Sequence, residues 1–146
     1  MAFAADSIFV PKPPEKHLRF CKATSLFLKS IESDSSFVEI TRWRDVKFDL
    51  RYASFNNVTG HDLYCGSKRA FLHRDAAEKF RKSIRLLKKK YPDYHFVIFD
   101  VTRPLYAQEA LRALVRGTPF SHYVTSPASG SIHNFGLAID LSIADS

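Results

Sequence analysis

A histidine and an aspartate seven residues apart, His133 and Asp140, are the side chains in this sequence best suited to grip one divalent cation. An imidazole nitrogen or a carboxylate oxygen binds zinc at about 2.0–2.2 Å, whereas seven fully extended steps span roughly 23 Å. The chain must therefore turn between them. Gly136, three residues after His133, can take a positive φ or let the backbone pass close to an ion. After that bend, Leu137, Ile139, Leu141 and Ile143 alternate with Ala138, Asp140 and Ser142, the period of a half-buried strand. The second face is small, so Gly136 and Ala138 leave space beside Asp140 for a metal and a substrate. Spacing alone is not distinctive, because a lone histidine is more often a surface or core residue than a ligand.

The surroundings add identity. Ser131 to Asp140 reads S-x-H-x-x-G-x-A-x-D, which resembles the signature of the D-alanyl-D-alanine metallopeptidases, in particular the D-Ala-D-Ala dipeptidase (VanX-like) branch. Arg51 to Gly60 is similar to that branch's R-Y-A-x-x-N-N-F-T-G, with Val58 for the aromatic. Asp100 to Pro104 is similar to its D-G-Y-R-P, with Val101 and Thr102 departing from it. The resemblance runs from about Phe37 to Ser146.

That resemblance implies one zinc held by a His, an Asp and a later His, with His133 and Asp140 matching the first two. Such an ion polarises a carbonyl and lowers the pKa of its water to about 7. It also implies a glutamate three residues before the third His as general base. No glutamate here (Glu15, Glu32, Glu39, Glu78, Glu109) has a histidine three residues later. The expectation is a chain cut at Ser146, before that element. Arg103 matches the arginine that faces the scissile carbonyl and stabilises the transition state; the alternative is an ordinary ion pair with Asp100 or Glu109. Ser131 matches a substrate-binding serine, and could equally cap a loop. His122 could stand in as a ligand or be a solvated loop residue. Asn56 to Gly60 reads as a turn bordering the site, with Gly60 at positive φ.

Composition narrows the partners. The net charge is +7, and seven lysines and arginines with no acid fall between Lys79 and Lys90; the remaining basic residues balance the acidic ones. Ala77, Phe80, Ile84 and Leu87 form an apolar stripe on the same segment, so the basic residues are its solvent face and no nucleic-acid partner is expected. No run of about 18 apolar residues predicts a membrane span. Cys21 and Cys65 could pair as a disulfide or remain two buried thiols. Ala2 to Ala4 resembles the small-residue end of an export signal, which leaves periplasm and cytoplasm both open.

The elements that must position these groups follow from pattern. Residues 1–17 are Pro-rich and read as an extended arm, Phe20 to Ser30 as a short helix or strand; together 1–36 form a leading segment before a peptidase domain at 37–146. Phe37 to Thr41 and Val46 to Tyr52 read as strands, Asp75 to Lys90 as a helix stopped by Pro92, and His95 to Asp100 as a core strand. Pro104 and Gly117 frame a second helix with Leu111, Leu114 and Val115 buried, followed by a loop to Gly130 that is long enough to line a site. The sum is α+β, a mixed, mainly antiparallel sheet with flanking helices. The resemblance implies the same fold, that of the hedgehog and D-Ala-D-Ala peptidase group. It implies zinc-dependent hydrolysis of D-alanyl-D-alanine in peptidoglycan metabolism. The rival readings are a non-catalytic relative that binds wall peptides and a basic nucleic-acid module.

Overall fold

The structure, a computed structural model, describes residues 15–125 and 129–145. Of the arm expected over residues 1–17, residues 1–14, with the export-like Ala2 to Ala4, lie outside the described residues, and residues 15–17 are instead the first turn of a helix. The element order is α1 (Glu15–Ser33), β1 (Phe37–Glu39), β2 (Val46–Phe48), β3 (Phe71–His73), α2 (Arg74–Lys90), β4 (Tyr94–Asp100), α3 (Leu105–Val115) and β5 (Asp140–Asp145).

β4 is the axis of the fold. It pairs parallel with β2, Val46 opposite Phe96, and antiparallel with β5, Ile98 opposite Leu141. β1 and β3 form a separate antiparallel pair, so two of the three pairings are antiparallel and the class is α+β, as expected. α2 lays Ala77, Phe80 and Ile84 inward, with Phe80 packed between Trp43 and Phe96 at ring separations of 6.2 and 5.4 Å. Its amide at Asp75 is capped by the His73 ring, and Lys88 to Lys90 occupy the last turn, where cations complement the helix dipole. None of the helices described is long and apolar enough to cross a membrane.

Several expectations need correction. The segment Phe20 to Ser30 is the middle of a 19-residue helix, α1. Its inner stripe includes a polar residue, Thr24, which is buried because its hydroxyl bonds both Phe20 O and the Tyr106 hydroxyl on α3. The strand expected over Val46 to Tyr52 stops at Phe48, and Arg51–Ala53 is a 3-10 turn. There the Asn57 amide donates to the carbonyls of Arg51, Ser54 and His61, which winds the R-Y-A-x-x-N-N segment into a loop ending at Gly60 with φ 64°. Leu114 lies on the flank of α3's buried stripe and is exposed. The strand expected from Leu137 begins at Asp140, and Leu137, Leu141 and Ile143 are exposed. Among the described residues β5 is the outer strand of its sheet, and α2 packs on β4, so alternation there gives parity without burial.

Cys21 on α1 and Cys65 form a disulfide, with Cα atoms 5.0 Å apart. It fixes α1 to the loop that precedes β3.

Candidate metal centre

A cleft of about 380 Å³ lies at the C-terminal end of β4, with Tyr52, Arg103, Gln108, Ser131, His133 and Asp140 on its walls. The segment after α3 contributes Phe120 and Tyr123, as the expectation of a site-lining loop required.

His133 lies in a 3-10 turn, Ile132–Phe135, whose start is closed reciprocally: the Ser131 hydroxyl accepts from His133 N at 3.3 Å and the Asn134 side chain accepts from Ser131 N at 2.6 Å. The turn ends at Gly136, left-handed at φ 66° and ψ 24°. Two bonds stitch it to the junction of β4 and α3: Arg103 N donates to His133 O at 3.0 Å, and the Asn134 amide donates to Arg103 O at 2.8 Å. Gly136 does not leave the open space its sequence position suggested. A methyl there would come within 2.8 Å of the Phe37 ring, His73 N and Thr102 Oγ1. The glycine is needed for close approach to β3, and the room for a ligand lies on the other side of His133.

The imidazole is oriented by its backbone partner. Nδ1 is 2.7 Å from Val101 O, and because a carbonyl only accepts, Nδ1 carries the proton. Nε2 is left as the nitrogen that could ligate an ion, 3.4 Å from Asp140 Oδ1. Two ligands on adjacent corners of a tetrahedral ion with bonds near 2.05 Å stand about 3.3 Å apart. That separation is compatible with one shared metal ion, for which Val101 O would be the outer partner that ligating histidines ordinarily have. Burial alone would lower the His133 pKa, but the Asp140 bond and the Asp100 charge outweigh it and raise it. The bond to His133 lowers Asp140 below the usual carboxylate range.

Asp100 completes a cluster of three ligand-capable side chains with His133 and Asp140, their atoms within 4.8 Å of one another. It is differently engaged. Buried to 1% exposure, it accepts from the Tyr64 hydroxyl at 2.7 Å and from Arg103 Nε and Nη2 at 2.9 and 2.6 Å. Burial raises the Asp100 pKa against the pull of Arg103, and burial also pushes the Tyr64 phenol well up. With its oxygens so occupied, Asp100 is a holder of Arg103, and the half-exposed Asp140 is the carboxylate open to an ion.

For Arg103 the structure shows the ion pair that the sequence offered as one alternative, in a position on the cleft wall. It is ion-paired with Asp100, and it also lines the cleft, stacked over Tyr52 at 5.1 Å with Nη2 3.7 Å from Asp140 Oδ2. Ser131 is likewise both a cap and part of the wall. Exposed His122 lies in the 3-10 turn Pro119–Tyr123, not among the residues lining the cleft. Tyr64 and Gln108 were not read from the sequence, whereas Asp100 was named there as one possible partner of Arg103. For Gln108 a signal existed: an amide on the buried stripe of α3.

Comparison with known proteins places these residues within a matched family region. Residues 36–145 match the peptidase M15 family, described as D-ala-D-ala dipeptidase, beginning one residue before the resemblance seen in the sequence. The D-alanyl-D-alanine dipeptidase of Escherichia coli (strain K12) is 36% identical over 101 residues, which are 69% of this chain and 49% of that protein. The chain thus spans about half the length of this curated relative. With a match that covers most of the sequence and takes in every residue of the cluster, the chain belongs to the D-Ala-D-Ala dipeptidase family.

Proposed function

We propose that this chain provides the core of a zinc-dependent peptidase centre that hydrolyses the D-alanyl-D-alanine dipeptide in peptidoglycan metabolism. The observation that carries the reading is the 3.4 Å separation of His133 Nε2 and Asp140 Oδ1, with Arg103 Nη2 3.7 Å from the same carboxylate. His133 and Asp140 would hold the ion, which supplies Lewis acidity toward the carbonyl and an acidified water. Arg103 directs its guanidinium at the oxygen that becomes negative as the peptide carbon turns tetrahedral, and the field of a buried cation is strongest there. Ser131, whose hydroxyl oxygen accepts from His133 N, retains its own proton to donate to the substrate's terminal carboxylate.

The transfer of the water's proton to the leaving amine needs a base, and no Glu-x-x-His occurs in the 146 residues. Two protein ligands rarely hold catalytic zinc firmly, so this stretch by itself binds zinc weakly and turns over slowly. The rival reading is a wall-peptide binder without hydrolysis.

Zinc titration against a competing chelator, with D-alanine release assayed in parallel, separates these readings. We expect weak zinc binding that His133→Ala or Asp140→Asn reduces by about 100-fold or more while the circular dichroism spectrum is kept. Zinc affinity indifferent to both substitutions would remove the centre proposed here. Saturable dipeptide binding with no D-alanine released, even from a chain extended to the relative's full length, would establish the binder instead.

A further inference from the structure

Gln108 stands where α3 otherwise buries apolar side chains. Ala107, Leu111 and Val115 face the core, and Gln108 shares their stripe at 1% exposure. Burying an amide is unfavourable unless both ends are paired. Both are: Oε1 accepts from Arg103 Nη1 at 2.8 Å, and Nε2 donates to Thr125 O at 2.9 Å.

The first contact completes the hold on the guanidinium. Asp100 takes Nε and Nη2, Gln108 takes Nη1, and of the five N–H groups one remains on each terminal nitrogen. Asp100 binds one edge of the planar group; Gln108 binds the other and so fixes the direction of those two remaining donors. The second contact reaches the cleft wall. Phe120, Tyr123, Val124 and Thr125 line the cleft, and Arg112 of α3 donates to the carbonyls of Ser121 and Val124 as well. One amide thus joins the wall on one side of the cleft to the cation that points into it.

We propose that Gln108 is a positioning residue that sets the orientation of Arg103 and couples it to the wall at residues 118–125. The proposal takes the purpose of Arg103 from the peptidase reading, whereas the relay itself is a property of these hydrogen bonds.

Nitrogen-15 NMR of the arginine side chains in the intact chain reads the relay directly. In the wild type, rotation about the Arg103 Cζ–Nη1 bond should be slow. In Gln108→Leu it should quicken about tenfold, as loss of one charge-assisted hydrogen bond allows, while the Nε–H signal held by Asp100 persists. The backbone amides of 121–125 should shift at the same time. Gln108→Glu keeps the acceptor and loses the donor, so Nη1 should stay slow while the 121–125 amides still shift. A purely structural glutamine would lower the unfolding midpoint in both variants and leave the Arg103 signals alone. That result overturns the proposal, as does a wild-type pattern at 121–125 in both variants. Should Gln108→Leu fail to fold, Gln108→Met gives the same reading with a more pliant side chain. Titration with D-alanyl-D-alanine tests the parent reading separately: no binding alongside an intact relay counts against the substrate and not against Gln108.

Discussion

The left-handed turn at Gly136 folds a seven-residue separation into a 3.4 Å contact between imidazole and carboxylate. Its carbonyl accepts from His73 N at 3.0 Å, so the turn is also welded to β3. A Cβ at this position meets a positive φ and three neighbours at 2.7–2.8 Å, one of them backbone. Gly136→Ala should therefore cost about 3 kcal/mol or more, the sum of a left-handed penalty and an overpacking one. Urea unfolding would show the lowered midpoint; an unchanged midpoint would contradict the tight approach described. The turn was legible because glycine, histidine and aspartate are close in sequence and each is chemically restricted. Its steric reason was not, since Phe37, His73 and Thr102 come from three distant segments. The same holds for Tyr64, which reaches Asp100 across 36 residues, a contact no local pattern encodes.

At the scale of elements, α2 could be read from the sequence because its apolar period runs unbroken through Ala77, Phe80 and Ile84. α1 was read only from Phe20 to Ser30 and left open between helix and strand, because its first turn falls in the segment read as an arm; its buried Thr24 relies on a hydroxyl partner on α3. β3 went unread, since three residues carry no period, and β5 was read with the right parity and the wrong covering. α1, β1 and the segment before β3 are also joined electrostatically: Arg69 pairs with Glu32 of α1 and Glu39 of β1, each at 2.6 Å. The Arg69 hydrogen bond holds the Glu39 carboxyl below its usual range. A depressed native pKa stabilises the fold only while the group is ionised. That contribution is complete above the unfolded value, about 4.3, and is lost as pH falls through the native one. Arg69→Gln should lower stability at pH 7 by about 1 kcal/mol, the upper end for partly exposed pairs, and flatten the acid limb of the stability curve. Thermal unfolding from pH 3 to 7 measures both; an equally steep acid limb in the variant would show that Glu39 is not the group responsible.

For the molecule as a whole, the Cys21–Cys65 bond closes a loop across 44 residues and ties the first helix to the segment that carries Tyr64. The sequence left the two cysteines open between bond and thiols, because pairing is decided by a fold that places their Cα atoms 5.0 Å apart. In the chain-entropy account, a closed loop of that size stabilises by about 4 kcal/mol. Reduction, or the Cys21→Ser and Cys65→Ser pair, should move the denaturant midpoint down accordingly. The Tyr64 hydroxyl bond to Asp100 should be perturbed with it, visible as a shift in tyrosine ultraviolet absorbance. An unmoved midpoint on reduction would show that this crosslink does not restrain the unfolded chain.

The outer rim of β5 remains an adhesive margin. Among the described residues the side of β5 away from β4 has no strand partner, with Leu141 and Ile143 exposed beside it and an aspartate at each end, Asp140 and Asp145. Because Asp140 opens this edge and also stands 3.4 Å from His133 Nε2, an extended segment pairing along β5 would arrive beside the proposed cation site, so completing the sheet and reshaping that site would be one physical event.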